Sequence, residues 1–364
     1  MIIVVDREAK PLFLQHTFPP LRTYRLSVIV SLLFLLLALS GCGAAGPSDG
    51  PNDSDNVKAA QASDGKNGSS PSPNDKDAGK TAGDSAQQTA KMKTVSTVKG
   101  DIQIPVQPQR IVAEEYLGSL IALNVIPVGA PGLTIKNYYF KEALAGIADT
   151  GVYGKPSAEN IIALNPDLII TGNGETYDVL SKIAPTLVIP YGDLKNVHQE
   201  LAYFGDLLGK EDKAKTWLAE YDRRIAAAKA KVDAVIPAGA SFSIMEDGEK
   251  TTWVYGDNFG RGGQPVYQAL GRKPPAEIAD TLMEKQWAEL SAELLEKYAG
   301  DYIVMTSNNR TAEDFKADPI WRNLPAVKNG NLYVWPEERS WYYDPLAVLA
   351  QTEELAEWLA KHGK

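Results

Sequence analysis

The chain has one cysteine and three histidines in 364 residues. A lone cysteine excludes an intramolecular disulfide and any cysteine-rich zinc module. His16 stands near the N-terminus, His198 where a helix is expected to start and His362 at the C-terminus, a poor set for holding bare zinc or manganese. Basic residues are also in short supply: 37 Lys and Arg against 46 Asp and Glu, a net charge of −9. That balance argues against a nucleic-acid protein, which needs a basic face to meet phosphate. No GxSxG nucleophile elbow is present, since Gly46-Pro47-Ser48-Asp49-Gly50 falls in a stretch with no strand-like or helix-like apolar run around it, and HExxH is missing. The glycine run Gly260, Gly262, Gly263 has neither GxxxxGK[ST] order nor GxGxxG spacing. It is read as a tight turn that lets backbone approach a ligand or a helix. Hydrophobic residues at 44% suffice for real cores, and the length suits two domains of ordinary size.

The N-terminus carries an address. Arg22 and Arg25 precede an apolar run, Leu26 to Leu39, broken only by Ser27 and Ser31. Those 14 residues are too few for a comfortable membrane span, which needs about 20. With the small-residue junction that follows, they describe a secretion signal over residues 1–41. Leu39-Ser40-Gly41-Cys42 resembles a bacterial lipobox, which implies lipidation of Cys42. The stretch before Arg22, with Asp6, Glu8, Pro19 and Pro20, is atypical for such a signal, so translation is expected to start further downstream. Residues 43–90 contain no Leu, Ile, Met or aromatic residue. Nothing there offsets the entropy of ordering, so 42–93 is expected to be a lipidated cysteine and a flexible tether reaching roughly 40 Å.

The folded body, 94–364, alternates short β-rich runs with helical stretches. Strands are expected at Arg110–Ala113, Pro127–Ala130, Leu168–Thr171, Thr186–Ile189, Ser241–Met245, Tyr302–Thr306 and Asn331–Trp335. Asp212 to Ala234 interrupts the alternation with Trp217, Tyr221, Ile225, Ala228 and Val232 at helical steps and with no Gly or Pro. This predicts one continuous helix, in a linking segment 209–236, between an N-terminal lobe (94–208) and a C-terminal lobe (237–364). A repeat supports related halves. Ser157-Ala158-Glu159 leads to Asp167-Leu168-Ile169-Ile170, and Ser291-Ala292-Glu293 leads at the same spacing to Asp301-Tyr302-Ile303-Val304. Each unit reads as an N-capped helix feeding a buried strand. If the halves are similar lobes, their strand ends face a common cleft.

Several motifs carry a specific resemblance. They are Gly151-Val152-Tyr153-Gly154-Lys155-Pro156-Ser157-Ala158-Glu159 and Tyr255-Gly256-Asp257-Asn258-Phe259-Gly260-Arg261-Gly262-Gly263, with Ala326 to Gly330 and Ser340-Trp341-Tyr342-Tyr343-Asp344-Pro345. Over 94–364 the chain resembles the siderophore-binding lipoproteins of Gram-positive iron-uptake ABC transporters, closest to the iron-hydroxamate binders. The resemblance implies an α/β fold of two Rossmann-like lobes joined by one long backbone helix, the class III periplasmic-binding-protein type. It implies a monomer, lipid-anchored on the outer face of the cell membrane, that is no enzyme and holds no cofactor or directly bound metal. Its partners would be a ferric siderophore and an ABC permease dimer, with no nucleic acid.

A ferric siderophore arrives with its iron already wrapped in six oxygens, so recognition falls to aromatic walls and to donors for those oxygens. By resemblance Arg261 is the first choice for the oxygen contact, with Trp253, Phe259, Trp341 and Tyr191 as walls; Tyr342 and Arg310 are added for their loop positions. The plainer reading makes the aromatics core residues and Arg261 a solvated turn charge. Glu159 and Glu293 each follow a capping Ser, where a carboxylate favours the helix dipole. The resemblance adds that one such glutamate on each lobe meets permease arginines. One clear Arg in the motif loops favours a near-neutral hydroxamate over a strongly anionic catecholate. A citrate-type siderophore, cobalamin or haem are the alternatives within the class, and a lipid-tethered hydrolase the alternative outside it.

Overall fold

The structure is a computed structural model and describes residues 91–248 and 251–362. The expected signal, Cys42 and the tether as far as residue 90 lie outside the described residues. The tether's expected end at 93 needs correction. Met92 and Lys93 already belong to β1 (Met92–Thr97), which pairs antiparallel with β2 (Gly100–Pro105). Alternation along this hairpin turns one face inward: Ile104 is fully buried, and Val95 and Ile102 pack on the same cluster.

Two five-stranded sheets follow. The first holds β3 (Ile111–Ala113), β4 (Gly129–Ala130), β5 (Ala148–Asp149), β8 (Leu168–Thr171) and β9 (Thr186–Val188). They run in the order β5-β4-β3-β8-β9, all parallel. A small hairpin, β6 (Gly151–Val152) and β7 (Lys155–Pro156), lies between β5 and β8 in sequence. Near-continuous burial along β3, β8 and β9 is what a parallel sheet covered on both faces requires.

The second sheet holds β10 (Phe242–Asp247), β11 (Thr252–Tyr255), β12 (Trp287–Leu290), β13 (Tyr302–Thr306) and β14 (Leu332–Trp335), in the order β12-β11-β10-β13-β14. Here β10, β13 and β14 are parallel, while β11 and β12 add on antiparallel. Each sheet has its own buried clusters. Leu168, Ile170 and Phe204 belong to the first lobe, and Phe242, Val304 and Trp335 to the second. The architecture is a bilobed α/β one.

Helix Glu211–Asp233 joins the lobes. Its N-terminal half buries Ala214 and Tyr221 in the first lobe's core, and its C-terminal half buries Ala228 and Val232 in the second's. Gly209, at φ 63, is the left-handed cap of the preceding helix Val197–Leu208 and so stands outside it. The expectation of one bridging helix also needs correction. The C-terminal helix Pro345–His362 sends Val348 and Leu349 into the first core and Leu355, Ala356 and Leu359 into the second. Arg224 grips Glu353 with two bonds of 2.7 and 2.5 Å, and Lys231 pairs with Glu357, tying the two bridging helices side by side. The expected second N-cap is absent. Ser157 Oγ accepts from Asn160 N at 3.3 Å, whereas Ser291 heads a short 3₁₀ turn with no side-chain cap.

Candidate functional site

In open sheets a ligand crevice forms at the carboxyl ends of strands where chain order reverses. In the first lobe that point lies between β3 and β8, in the second between β10 and β13. Acids stand at both: Glu114-Glu115 directly after β3, and Glu246-Asp247 closing β10.

Glu246 organises the second lobe's side. It is 5% exposed and opposite Trp253 in the β10–β11 register, so its carboxylate shares a sheet face with Trp253, Tyr255 and Trp287. Three donors converge on it. Arg261 Nε reaches Oε2 at 3.1 Å, Trp341 Nε1 reaches Oε1 at 2.8 Å, and the Tyr255 hydroxyl donates to Oε2. Arg261 is itself only 6% exposed. Its guanidinium carbon lies 4.9 Å from the Tyr255 ring centre, 5.5 Å from Phe259 and 4.8 Å from Trp341, an aromatic cage with cation–π geometry on three sides. Burial works against the Arg261 charge, but the Tyr255, Glu246 and Tyr191 groups around it outweigh burial and hold its pKa above the ordinary value.

The backbone reaches this position by an unusual path. Gly260, Arg261 and Gly262 all have positive φ (80°, 58° and 97°), a conformation that costs a non-glycine residue about 1–2 kcal/mol. At Gly260 a Cβ would run into the carbonyl oxygen of Trp341, so the glycine lets the two loops touch. The turn read in the sequence thus drives the Arg261 side chain back over the sheet end.

The first lobe supplies the facing wall. The Tyr191 ring packs edge-on against Phe259 of the other lobe at 5.7 Å and against Tyr343 at 5.1 Å. Tyr191 feels the charges of both Arg261 and Glu115, and burial dominates in raising its pKa to about 12. Burial pushes the Glu115 carboxyl up to about 7, although a hydrogen bond with Tyr153 opposes it. The lobes are also bonded at the rim. Asn258 Nδ2 donates to the Gly192 carbonyl and Gln268 Nε2 to that of Lys195, both at 3.0 Å, and the Tyr139 hydroxyl donates to the Arg339 carbonyl at 2.7 Å.

Of the residues singled out by sequence, Arg261, Phe259, Trp341 and Tyr191 come together. Trp253 lies on the same sheet face but beside the β10–β11 turn, against Gly248. Tyr342 turns to the first lobe's core, edge-on to Phe140 at 6.1 Å. Arg310 does not join them. Its guanidinium binds Asp318 at 2.7 Å and Asp247 at 3.6 Å and covers the Phe315 ring at 3.9 Å. Because Asp247 alternates with Glu246 along β10, Arg310 serves the opposite face of the sheet. Glu159 and Glu293 are exposed, and neither forms an ion pair with another described residue. Sequence reading missed Glu246, Tyr255, Trp287, Tyr343 and Glu115. An acid ending a buried apolar strand, as in Phe242-Ser243-Ile244-Met245-Glu246, is the signal that could have found the first. Among the described residues no group of three or more His, Cys, Asp or Glu could hold a metal ion, and no helix is long and apolar enough to cross a membrane.

Residues 111–339 match the family described as "Periplasmic binding protein". The chain is 37% identical over 291 residues to the iron(3+)-hydroxamate-binding protein YxeB of Bacillus subtilis, covering 78% of this chain and 90% of that one. It is similar in structure to the FhuD protein of S. pseudintermedius, with TM-score 0.67, 30% identity, and 75% of this chain and 100% of that one covered. It is also similar to Staphylococcus aureus FhuD2 solved with bound ferrioxamine B, with TM-score 0.64, 30% identity, and 71% and 100% covered. The chain belongs to the periplasmic binding protein family, on the branch of the iron-siderophore ABC transporter components.

Proposed function

We propose that the chain is an extracytoplasmic receptor that takes a ferric siderophore, a hydroxamate by preference, into the cleft between its lobes and delivers it to an ABC permease dimer. The observation that carries this reading is the Arg261 guanidinium, buried in a cage of Tyr255, Phe259 and Trp341 at the strand ends and faced by Tyr191. Rigid rings give contact area to an organic shell at little entropic cost, and a guanidinium fans donors toward hydroxamate oxygens. The described residues assemble no ligand set for naked iron, which suits cargo whose metal is already coordinated. The hydroxamate preference is supported by the name of the 37%-identical relative and by the ferrioxamine B in the FhuD2 structure.

On this reading Cys42 carries the lipid anchor and the protein is a monomer on the outer face of the cell membrane. Glu159 and Glu293, exposed and one per lobe, contact the permease, and the protein performs no chemistry on its cargo. The lobes are of Rossmann-like, class III type, and the two bridging helices limit closure to a small movement. Tryptophan quenching against ferrichrome, ferrioxamine B, ferric enterobactin, ferric citrate, haem and cobalamin tests the reading. Saturable quenching by the two ferric hydroxamates at the lowest concentrations is expected, and none from either would overturn it.

A further inference from the structure

The Arg261 charge, buried where Tyr191 of one lobe meets Phe259 of the other, is cancelled from within. The Arg261 cation and the Glu246 carboxylate are both buried and 3.1 Å apart, and Glu246 is fixed from two further sides by Tyr255 and Trp341. Of the five N–H donors of its guanidinium, Arg261 spends one at Nε on Glu246 and directs one at Nη1 to the Phe259 carbonyl at 3.4 Å. The pair as a whole has no net charge. On the facing lobe Glu114 and Glu115 follow β3, and the rings nearest Phe259 are Tyr191 and, behind it, Tyr343.

We propose that Glu246 is a specificity-determining residue, which lets Arg261 present hydrogen-bond donors without a net positive field and so sets the cleft against anionic ferric complexes. This rests on the receptor reading above and names the residue that selects within it. An unpaired arginine in a poorly solvated cleft attracts a trianionic tris-catecholate complex over several ångströms, whereas a guanidinium–carboxylate pair acts as a short-range dipole. A neutral ferric trihydroxamate needs only the donors, which the pair still offers.

The test compares ferrichrome, a neutral trihydroxamate, with ferric enterobactin, a trianion, by tryptophan quenching and by displacement of ferrichrome. Glu246→Gln keeps size, trades one of the two acceptor oxygens for an NH2 donor, and leaves the site one positive charge richer. The enterobactin-to-ferrichrome affinity ratio should rise on the order of tenfold or more. Arg261→Gln, which leaves Glu246 alone, should move the ratio the other way. The double variant restores net neutrality and should return the ratio toward the wild-type value although both affinities are weaker, a recovery that a merely structural role for Glu246 does not produce. Should Glu246→Gln fail to fold, the double variant compared with Arg261→Gln still isolates the Glu246 charge, and its enterobactin-to-ferrichrome ratio should be the higher of the two. A ratio unchanged in these variants, including absence of displacement by enterobactin in every protein, overturns the proposal. Failure of wild-type protein to bind any ferric complex is a different result and defeats the receptor reading instead.

Discussion

Trp341 Nε1 lies 2.8 Å from Glu246 Oε1, a bond between residues 95 apart in sequence. It stitches the loop before the C-terminal helix to the end of β10 and presents the indole to Arg261. Trp341→Phe keeps a ring but removes the donor and leaves a buried carboxylate short of one partner, a loss of about 1–2 kcal/mol. Affinity for ferrichrome should fall about tenfold in a quenching titration, with reduced quench amplitude.

Arg261→Ala removes the cation held in the aromatic cage, and a charge-assisted contact of about 1.5–3 kcal/mol predicts a ten- to hundredfold loss of ferric-hydroxamate affinity. Arg261→Lys should not recover it, because an ammonium cannot hold Glu246 and reach a ligand oxygen with separate arms of one planar fork. Full affinity in the lysine variant would show that only charge is needed.

Glu159 and Glu293 are exposed, and neither is among the residues that bond to or ring Arg261. Replacing both by alanine should leave ferrichrome affinity within twofold of wild type and abolish iron uptake by cells carrying only this receptor. Normal uptake would return both residues to a helix-dipole role.

Arg310→Ala should separate stability from binding. Losing the Asp318 and Asp247 pairs and the cover over Phe315 costs about 1–3 kcal/mol and lowers the thermal midpoint by a few degrees. Ferrichrome affinity should not change; a tenfold loss would put Arg310 back in the site.

Stability should depend on pH through buried carboxyls of the first lobe. Burial pushes Glu200 up to about 8, against the pull of the Ser119 hydroxyl, and holds Glu115 at about 7 and Asp344 at about 6. Each stays protonated in the fold at pH values where the unfolded chain, with Glu near 4.5, has lost the proton. The folded state therefore binds more protons between about 4.5 and 8, and stability falls as pH rises through that window. The melting midpoint should drop several degrees between pH 5.5 and 8.5, and Glu200→Gln should flatten most of the decline at the upper end. An unaltered slope would show that Glu200 ionises normally.

Parallel strands were the most legible part of the fold, because both faces are covered and every residue in the run is apolar or small. Leu168–Thr171 and Tyr302–Thr306 match their expected bounds residue for residue. The antiparallel additions β11 and β12 and the β1–β2 hairpin were not read, since half-exposed strands with Thr252, Glu289 or Gln103 show no such run. The repeat around Asp167 and Asp301 was visible, but its use was not. Asp167 accepts from the backbone N–H groups of Gln109 and Arg110, at 2.7 and 2.9 Å, and Asp301 from that of Ser241 at 2.7 Å. Each clamps the residue just before its sheet's first central strand, opposite the start of the second. Arg261, Phe259, Trp341 and Tyr191 could be picked from loop motifs. Glu246 stood out only as an acid ending a buried apolar strand, and its role did not, because only the strand register and two distant loops bring its three donors together. Nor could the second bridge be read, since helical periodicity in Pro345–His362 says nothing about which core each turn meets.

The most direct measurement is iron anomalous scattering from crystals grown with ferrichrome. One iron peak is expected between the lobes, coordinated wholly by siderophore oxygens, with the Arg261 guanidinium turned to that oxygen shell and Tyr191, Phe259 and Trp341 around it. Iron bound directly by protein carboxylates or imidazoles, or an iron-free cleft in crystals with ferrichrome elsewhere, would contradict the central claim.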